Sequence, residues 1–182
     1  MSDSTTAGIL TPIPGGPAPL EGQGLQRFLQ QYVSAITGIE GALVRPRWQP
    51  EPPNQPANDA TWIALGITSR KSDAHASELH ADDGASSTIY RQQELSVLLS
   101  FFGPGADEAE ARLREGVSLE QNRTYLTAAG FGLIDITDAI AVPALQNERW
   151  QYRIDATLNL RRAVVRRFPA LSIQTPDITI NP

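Results

Sequence analysis

Between residues 149 and 168 the chain alternates with a period of two. Trp150, Tyr152, Ile154, Ala156, Leu158 and Leu160 fall on one side, and Arg149, Gln151, Arg153, Asp155, Thr157 and Asn159 on the other. Successive side chains of a strand point to opposite faces, so only an extended segment keeps these two sets apart. Such a strand needs a sheet to bury its apolar face and leaves its polar face half exposed. This one segment commits the chain to a sheet-containing fold.

The rest of the sequence supplies the partners. Leu25, Phe28, Leu29, Tyr32, Val33 and Ile36 recur at helical spacing, and Gly38 is placed to end that helix. Leu43 to Trp48 reads as a strand, but Pro46 lacks a ladder donor and confines it to an edge or a bulge. A Pro-rich loop follows through Pro56. Thr61 to Thr68 is β-rich, with Ile63, Leu65 and Ile67 on one face and Trp62, Ala64 and Gly66 on the other, which predicts cover on both sides. Ser69 to Ser87 reads as a polar loop. A long alternating strand then places Ile89, Leu95, Val97, Leu99 and Phe101 on one face. Gly103-Pro104-Gly105 breaks it, and Ala106, Ala109, Leu113 and Val117 form the thin apolar stripe of a charged helix. Ser118 and Gln121 make a capping-box pattern for a second short helix ending near Gly130. Phe131 to Thr137 is a further strand, followed by a turn region around Pro143.

The order is helix, strands, helix pair, strands. It predicts an α+β fold with a mixed, mainly antiparallel sheet of about four to six strands and helices packed on one face. Residues 1–21, rich in Ser, Thr, Gly and Pro, read as a flexible N-terminal arm, residues 22–168 as a single domain, and residues 169–182 as an extended C-terminal arm. Nine of the 14 Pro lie within the first 56 residues, so the front of the chain carries stiff irregular stretches.

Composition removes several chemistries. With no Cys there is no disulfide framework, thiolate nucleophile or Cys-rich zinc site. The first residues lack the charged and apolar regions of a secretory signal, and no apolar run approaches membrane-spanning length, so no membrane partner is expected. His75 and His80, the two histidines, lie with Asp73, Glu78, Asp82 and Asp83 in the polar segment. They are the only ligand-rich cluster, and a small metal-dependent hydrolase centred on them is one reading. A metal site needs a rigid, supported ligand set, which nothing in this segment supplies. No Gly-x-Ser-x-Gly elbow, phosphate-binding loop or dinucleotide fingerprint occurs. Asp135 with Asp138 and Asp107 with Glu108 fit caps or solvated faces. No catalytic, cofactor-binding or metal-ligating residue is therefore assigned.

The sharpest charge feature is Arg161, Arg162, Arg166 and Arg167, in a chain whose net charge is -5. Together with Arg45 and Arg47 they are the candidate interface residues. Arg at this density pairs with carboxylates across a subunit interface or meets DNA phosphates, and the acidity of the remaining chain favours protein.

Three stretches carry a resemblance to a known family. They are Leu25 to Trp48 (Leu-Gln-Arg-Phe-Leu-Gln-Gln-Tyr-Val-Ser-Ala-Ile-Thr-Gly, then Leu-Val-Arg-Pro-Arg-Trp-Gln-Pro), Gly116 to Gly132, and Glu148 to Arg162. Over most of residues 22–168 the chain resembles the phage neck or tail-terminator proteins. The resemblance implies a structural, non-enzymatic virion subunit that forms a sixfold ring on the tail tube, stops tube growth and meets the head connector or completion protein. It also implies a contractile tail, possible contact with the tail sheath, DNA passing through the lumen without sequence-specific binding, and a place in the virion neck after assembly in the host cytoplasm. No active-site residues or cofactors come with it. Another head–tail joining, completion or baseplate protein is the alternative, separable by stoichiometry.

Overall fold

A computed structural model describes residues 8–51, 53–81, 85–146 and 149–170. Most of the expected C-terminal arm, the first third of the expected N-terminal arm, and Asp82 and Asp83 lie outside the described residues. The elements in chain order are α1 (Gly22–Thr37), a 3-10 turn (Gly41–Leu43), β1 (Val44–Pro46), β2 (Trp62–Ser72), β3 (Ser77–His80), β4 (Ser86–Phe102), α2 (Ala106–Ser118), α3 (Glu120–Ala128), β5 (Phe131–Ile136), β6 (Ile140–Ala141), β7 (Ala144–Gln146), β8 (Arg149–Gln151) and β9 (Arg153–Pro169).

The fold is α+β, as the element order predicts. Seven strands join in a mixed, mainly antiparallel sheet of order β1-β2-β4-β9-β5, with β3 pairing β4 and β6 pairing β9, while β7 and β8 make a separate hairpin. The strand count exceeds the expected four to six because Ser69 to Ser87 is not a loop. β2 runs on to Ser72, β3 pairs antiparallel with β4, and β4 begins at Ser86. Polar residues on both faces hid this hairpin, since its side chains are almost all exposed and no apolar alternation marks it.

The chain divides into two compact units: residues 20–72 with 93–163, and residues 1–19, 73–92 and 164–182. The first holds the main core. One face of its sheet, with Ile63 and Leu65 of β2, Leu95, Val97, Leu99 and Phe101 of β4, and Ile154, Ala156, Leu158 and Leu160 of β9, is covered by α1, α2 and α3. Each such Leu or Ile, taken fully from water, contributes about 1.5–3 kcal/mol. Helix α1 buries Leu25, Phe28, Leu29, Tyr32 and Val33 and ends at Gly38, whose φ of 72° is the left-handed value that favours glycine. Helix α2 buries the expected Ala106, Ala109, Leu113 and Val117 stripe and also Glu110. Arg114 makes that burial tolerable. It donates to Glu110 Oε1 at 2.6 Å and to the Thr137 carbonyl at 2.7 Å, tying α2 to the end of β5.

On the helix-free face Trp62, Ala64 and Phe102 form a second small cluster, so β2 is covered on both sides as its composition predicts. β1 sits at the sheet edge, where Pro46 is harmless, but it pairs parallel with β2. Two expectations fail. The capping box at Ser118 is not formed: Ser118 Oγ donates to the Arg114 carbonyl inside α2, and the residue before α3 is Leu119. The period-two run also does not continue through Tyr152. Trp150 is 74% exposed, Tyr152 is exposed and Gln151 is buried, the reverse of the sequence phase. The reason is local. Trp150 belongs to the β7–β8 hairpin, while Tyr152 is turned outward by a bond from its hydroxyl to Asp107 Oδ1 at 3.0 Å, which also raises the phenol pKa.

In the second unit the Ile13 N–H donates to the Arg167 carbonyl at 2.8 Å, the Ala170 N–H to the Ala85 carbonyl at 3.1 Å, and Arg167 Nε to Ser86 Oγ at 2.8 Å. No helix among the described residues is long and apolar enough to cross a membrane.

Candidate functional site

The six arginines singled out by charge divide between the two units. Arg161 and Arg162 belong to one unit with Arg45 and Arg47, whereas Arg166 and Arg167 belong to the other. Within β9 the even positions from Ile154 to Leu160 face the core, and the same parity carries Arg162 inward, where it is 4% exposed. Arg161 and Arg166 are exposed, as is Arg167 apart from its bond to Ser86.

Arg162 is the hub of an internal clamp. It donates to Gln93 Oε1 through Nε at 2.9 Å and Nη2 at 2.7 Å, to Glu21 Oε1 at 2.6 Å, and to the Leu20 carbonyl, and its guanidinium lies 5.9 Å from the Phe131 ring centroid. Glu21 also accepts from Arg70 at 2.5 Å. These contacts hold the start of α1 against β4 and β9. Burial pushes the Glu21 carboxyl upward, but the Arg70 hydrogen bond and the charges of Arg162 and Arg70 outweigh it, so its pKa lies below the ordinary 4.5. A depressed carboxylate stabilises the fold fully above its unfolded pKa, and that stabilisation is lost as pH falls through the folded value. The stability difference between wild type and Glu21→Gln is therefore expected to be constant above about pH 5 and to shrink toward pH 3. Urea titrations at several pH values measure it, and a gap that stays constant into acid would contradict the clamp.

A second constellation lies on the helix-free face. β1 and the residues after it, the Pro-rich loop, the start of β2, the end of β4 and β8 enclose a recess of about 410 Å³. Its floor is the Trp62–Phe102 pair, stacked with centroids 4.1 Å apart, and Arg153 sits 5.5 Å over Phe102. Arg45 is fixed by bonds to the Ala42 and Asn54 carbonyls. Arg47 donates to Ser100 Oγ, which donates to Asp155 Oδ1, and Arg153 forks onto the same carboxylate at 2.7 and 2.5 Å. Burial and the nearby Arg153 charge lower the Arg47 pKa, opposed by Asp155; it stays protonated. Trp48, 69% exposed, stands at the rim with a φ of 56°, a left-handed conformation uncommon for a bulky residue.

Three buried donors on residues lining this recess have no hydrogen-bond partner among the described residues: Arg47 Nε, Trp62 Nε1 and Gln151 Nε2. A buried N–H without an acceptor costs about 1–3 kcal/mol, so these three groups are a cost that the fold bears beside the recess. Arg45 and Arg47 stood out in the sequence by charge. Trp62 reads there as core and Gln151 as a solvent-facing strand residue, and only the phase change at Tyr152 turns Gln151 inward.

The histidine segment is part of a hairpin. His80 Nδ1 lies 2.7 Å from Ser87 Oγ and 3.9 Å from Glu78 Oε1, and both His75 and His80 are exposed. Among the described residues no group of three or more His, Cys, Asp or Glu could hold a metal ion. A groove of about 540 Å³ between α1 and α3 is lined by Tyr32, Ile36 and Tyr125, and burial raises the Tyr32 phenol to about 12.

The model of one family, described as phage neck terminator protein, matches residues 23–182. No curated protein matches the chain.

Proposed function

The chain belongs to the phage neck terminator protein family, a structural component of the phage neck, and on that premise we propose that it assembles as a ring of six copies that caps the tail tube and joins it to the head connector or completion protein. The observation that carries this reading is the family match over nearly the whole chain. It is supported by an unusual set of exposed apolar side chains: Ile134, Ile140 and Val142 along β5, β6 and the next residues, then Leu145 paired with Trp150 in the β7–β8 hairpin. Exposed apolar groups gathered on one region of a subunit mark a surface that is covered in the assembled state. A ring arises when two different surfaces of a subunit meet head to tail and the rotation closes.

In this reading residues 22–168 are the ring domain, residues 1–21 and 169–182 are arms that reach neighbouring subunits or the sheath of a contractile tail, and assembly takes place in the host cytoplasm. The exposed Arg161, Arg166 and Arg167 face acidic protein partners or the DNA that passes the lumen. Arg45 and Arg47 line the recess and are the remaining interface candidates, while Arg162, buried in the clamp, serves the fold and not an interface. Light scattering over a concentration series, with purified tail tubes added in a parallel series, tests the proposal. A discrete multi-subunit mass, alone or on tube ends, is the expected result. A protein that remains monomeric and leaves tube ends bare would overturn it.

A further inference from the structure

We propose that residues 8–19 are a strap that closes the open edge of β9 and so keeps two copies of this chain from pairing edge to edge.

The hydrogen bonds of β9 (Arg153–Pro169) locate that edge. In an antiparallel ladder the N–H and C=O of one residue point to the same side, and alternate residues point alike. The Val142 N–H donates to the Arg153 carbonyl and the Thr137 N–H to the Thr157 carbonyl, so the odd-numbered residues face β6 and β5. The even-numbered ones face β4, and Ala170 keeps to the rule by donating to Ala85, the residue before β4. Pairing with β5 stops where Phe131 lies opposite Arg162. Beyond that point no strand among the described residues pairs with the odd-numbered side, which leaves Val165 and Arg167 at an open edge. Such an edge, carrying the β-prone Val164 and Val165, is a template for a strand of another copy.

The arm covers it. The Ile13 N–H donates to the Arg167 carbonyl at 2.8 Å. A turn follows, with Gly15 at a φ of 77° and the Gly16 N–H donating to the Ile13 carbonyl at 3.2 Å, and it lays Gly16 against Arg167. Leu10, Ile13, Gly16 and Pro19 are half-buried and the residues between them exposed, so one side of the arm faces the protein. Its composition makes it a cover rather than a strand. Pro12, Pro14, Pro17 and Pro19 have no N–H, so the arm caps the edge without offering a ladder of its own to a further strand. Arg166 and Arg167 add charge, a second common means of blunting an edge. The strap acts in the free subunit, before a neighbour is met, and does not depend on the ring reading.

Two substitutions release it. Ile13→Pro removes the N–H that Arg167 accepts, and Leu10→Glu puts a charge on the seated side. A disulfide reports whether the strap is seated, since the chain has no Cys and a Cβ at Gly16 would lie 3.7 Å from Arg167 Cβ, inside the range of about 3.5–4.5 Å that a disulfide spans. Under mild oxidation in dilute solution, Gly16→Cys/Arg167→Cys protein is expected to close an intrachain disulfide, at least about tenfold more slowly once Ile13→Pro and Leu10→Glu are added. Equal rates would show that this contact does not hold the arm, and would overturn the proposal. Light scattering then compares wild type with the Ile13→Pro/Leu10→Glu variant at about 0.5 M salt, where repulsion between exposed arginines is screened. At equal concentration the variant is expected to show at least about twice the wild-type mass. Val165→Pro, which takes an N–H from the open edge, should return it to the wild-type value, with circular dichroism checking that β9 still folds. Oxidation of the protein carrying all four arm and cysteine substitutions re-seats the strap and should do the same. A released strap with unchanged mass, or a gain in mass that persists after the strap is re-seated, would show that the edge needs no cover.

Discussion

Replacing Arg162 by Ala is expected to destabilise the protein by about 3 kcal/mol, while Arg161→Ala, one residue away, changes stability by no more than about 0.5 kcal/mol. The two are neighbours in a run of basic residues and differ in the face of β9 they occupy. Arg162 is 4% exposed; without it Gln93 loses two charge-assisted hydrogen bonds, the Leu20 carbonyl loses its guanidinium donor, and the Phe131 ring loses the cation above it. Glu21 keeps Arg70 and is itself well exposed, which holds the loss to the lower part of the range for breaking a buried pair. Arg162→Lys should recover only part of it, because one ammonium cannot serve Gln93, Glu21 and a carbonyl in the planar arrangement of a guanidinium. Denaturant midpoints of the three variants test the ordering. Equal effects at positions 161 and 162 would mean that both side chains are at the surface.

This contrast also shows where reading the sequence stops. The apolar stripes of α1 and α2 and the inward set Ile154, Ala156, Leu158 and Leu160 are local patterns, and each predicts its burial in the fold. The same period of two continues inward through Arg162. Burial of an arginine, however, depends on its partners, and Glu21 is 141 residues away in sequence. The recess is hidden for the same reason. Its lining comes from β1 and the residues after it, from β2 and from β8, and nothing near Trp62 or Gln151 in the chain distinguishes them from core and surface residues. Strand β3 was invisible on different grounds: with both faces exposed it lacks the alternation that marks a half-buried strand.

Gly103→Ala is expected to cost about 2–4 kcal/mol, more than an equal change at Gly130, and the comparison separates two physical causes. Both glycines hold left-handed backbone, with φ of 90° and 82°, so each substitution carries the penalty of about 1–2 kcal/mol for an L-residue there. At Gly130 an added Cβ meets nothing within 4 Å. At Gly103 it would lie 2.2 Å from the Ala60 carbonyl oxygen and 3.1 Å from Thr61 Cα, so backbone must move. That movement reaches the recess. Gly103 follows Phe102 directly, its N–H donates to the Tyr152 carbonyl at 3.3 Å, and the Gly105 N–H is held by Thr61 Oγ1 at 2.9 Å, next to Trp62. Gly103→Ala should therefore shift Trp62 fluorescence under conditions where the variant remains folded, whereas Gly130→Ala should change stability alone. Identical thermal midpoints for the two variants would show that the chain from Ala60 to Trp62 yields freely to the added Cβ, so that the close approach at Gly103 puts no constraint on its residue type.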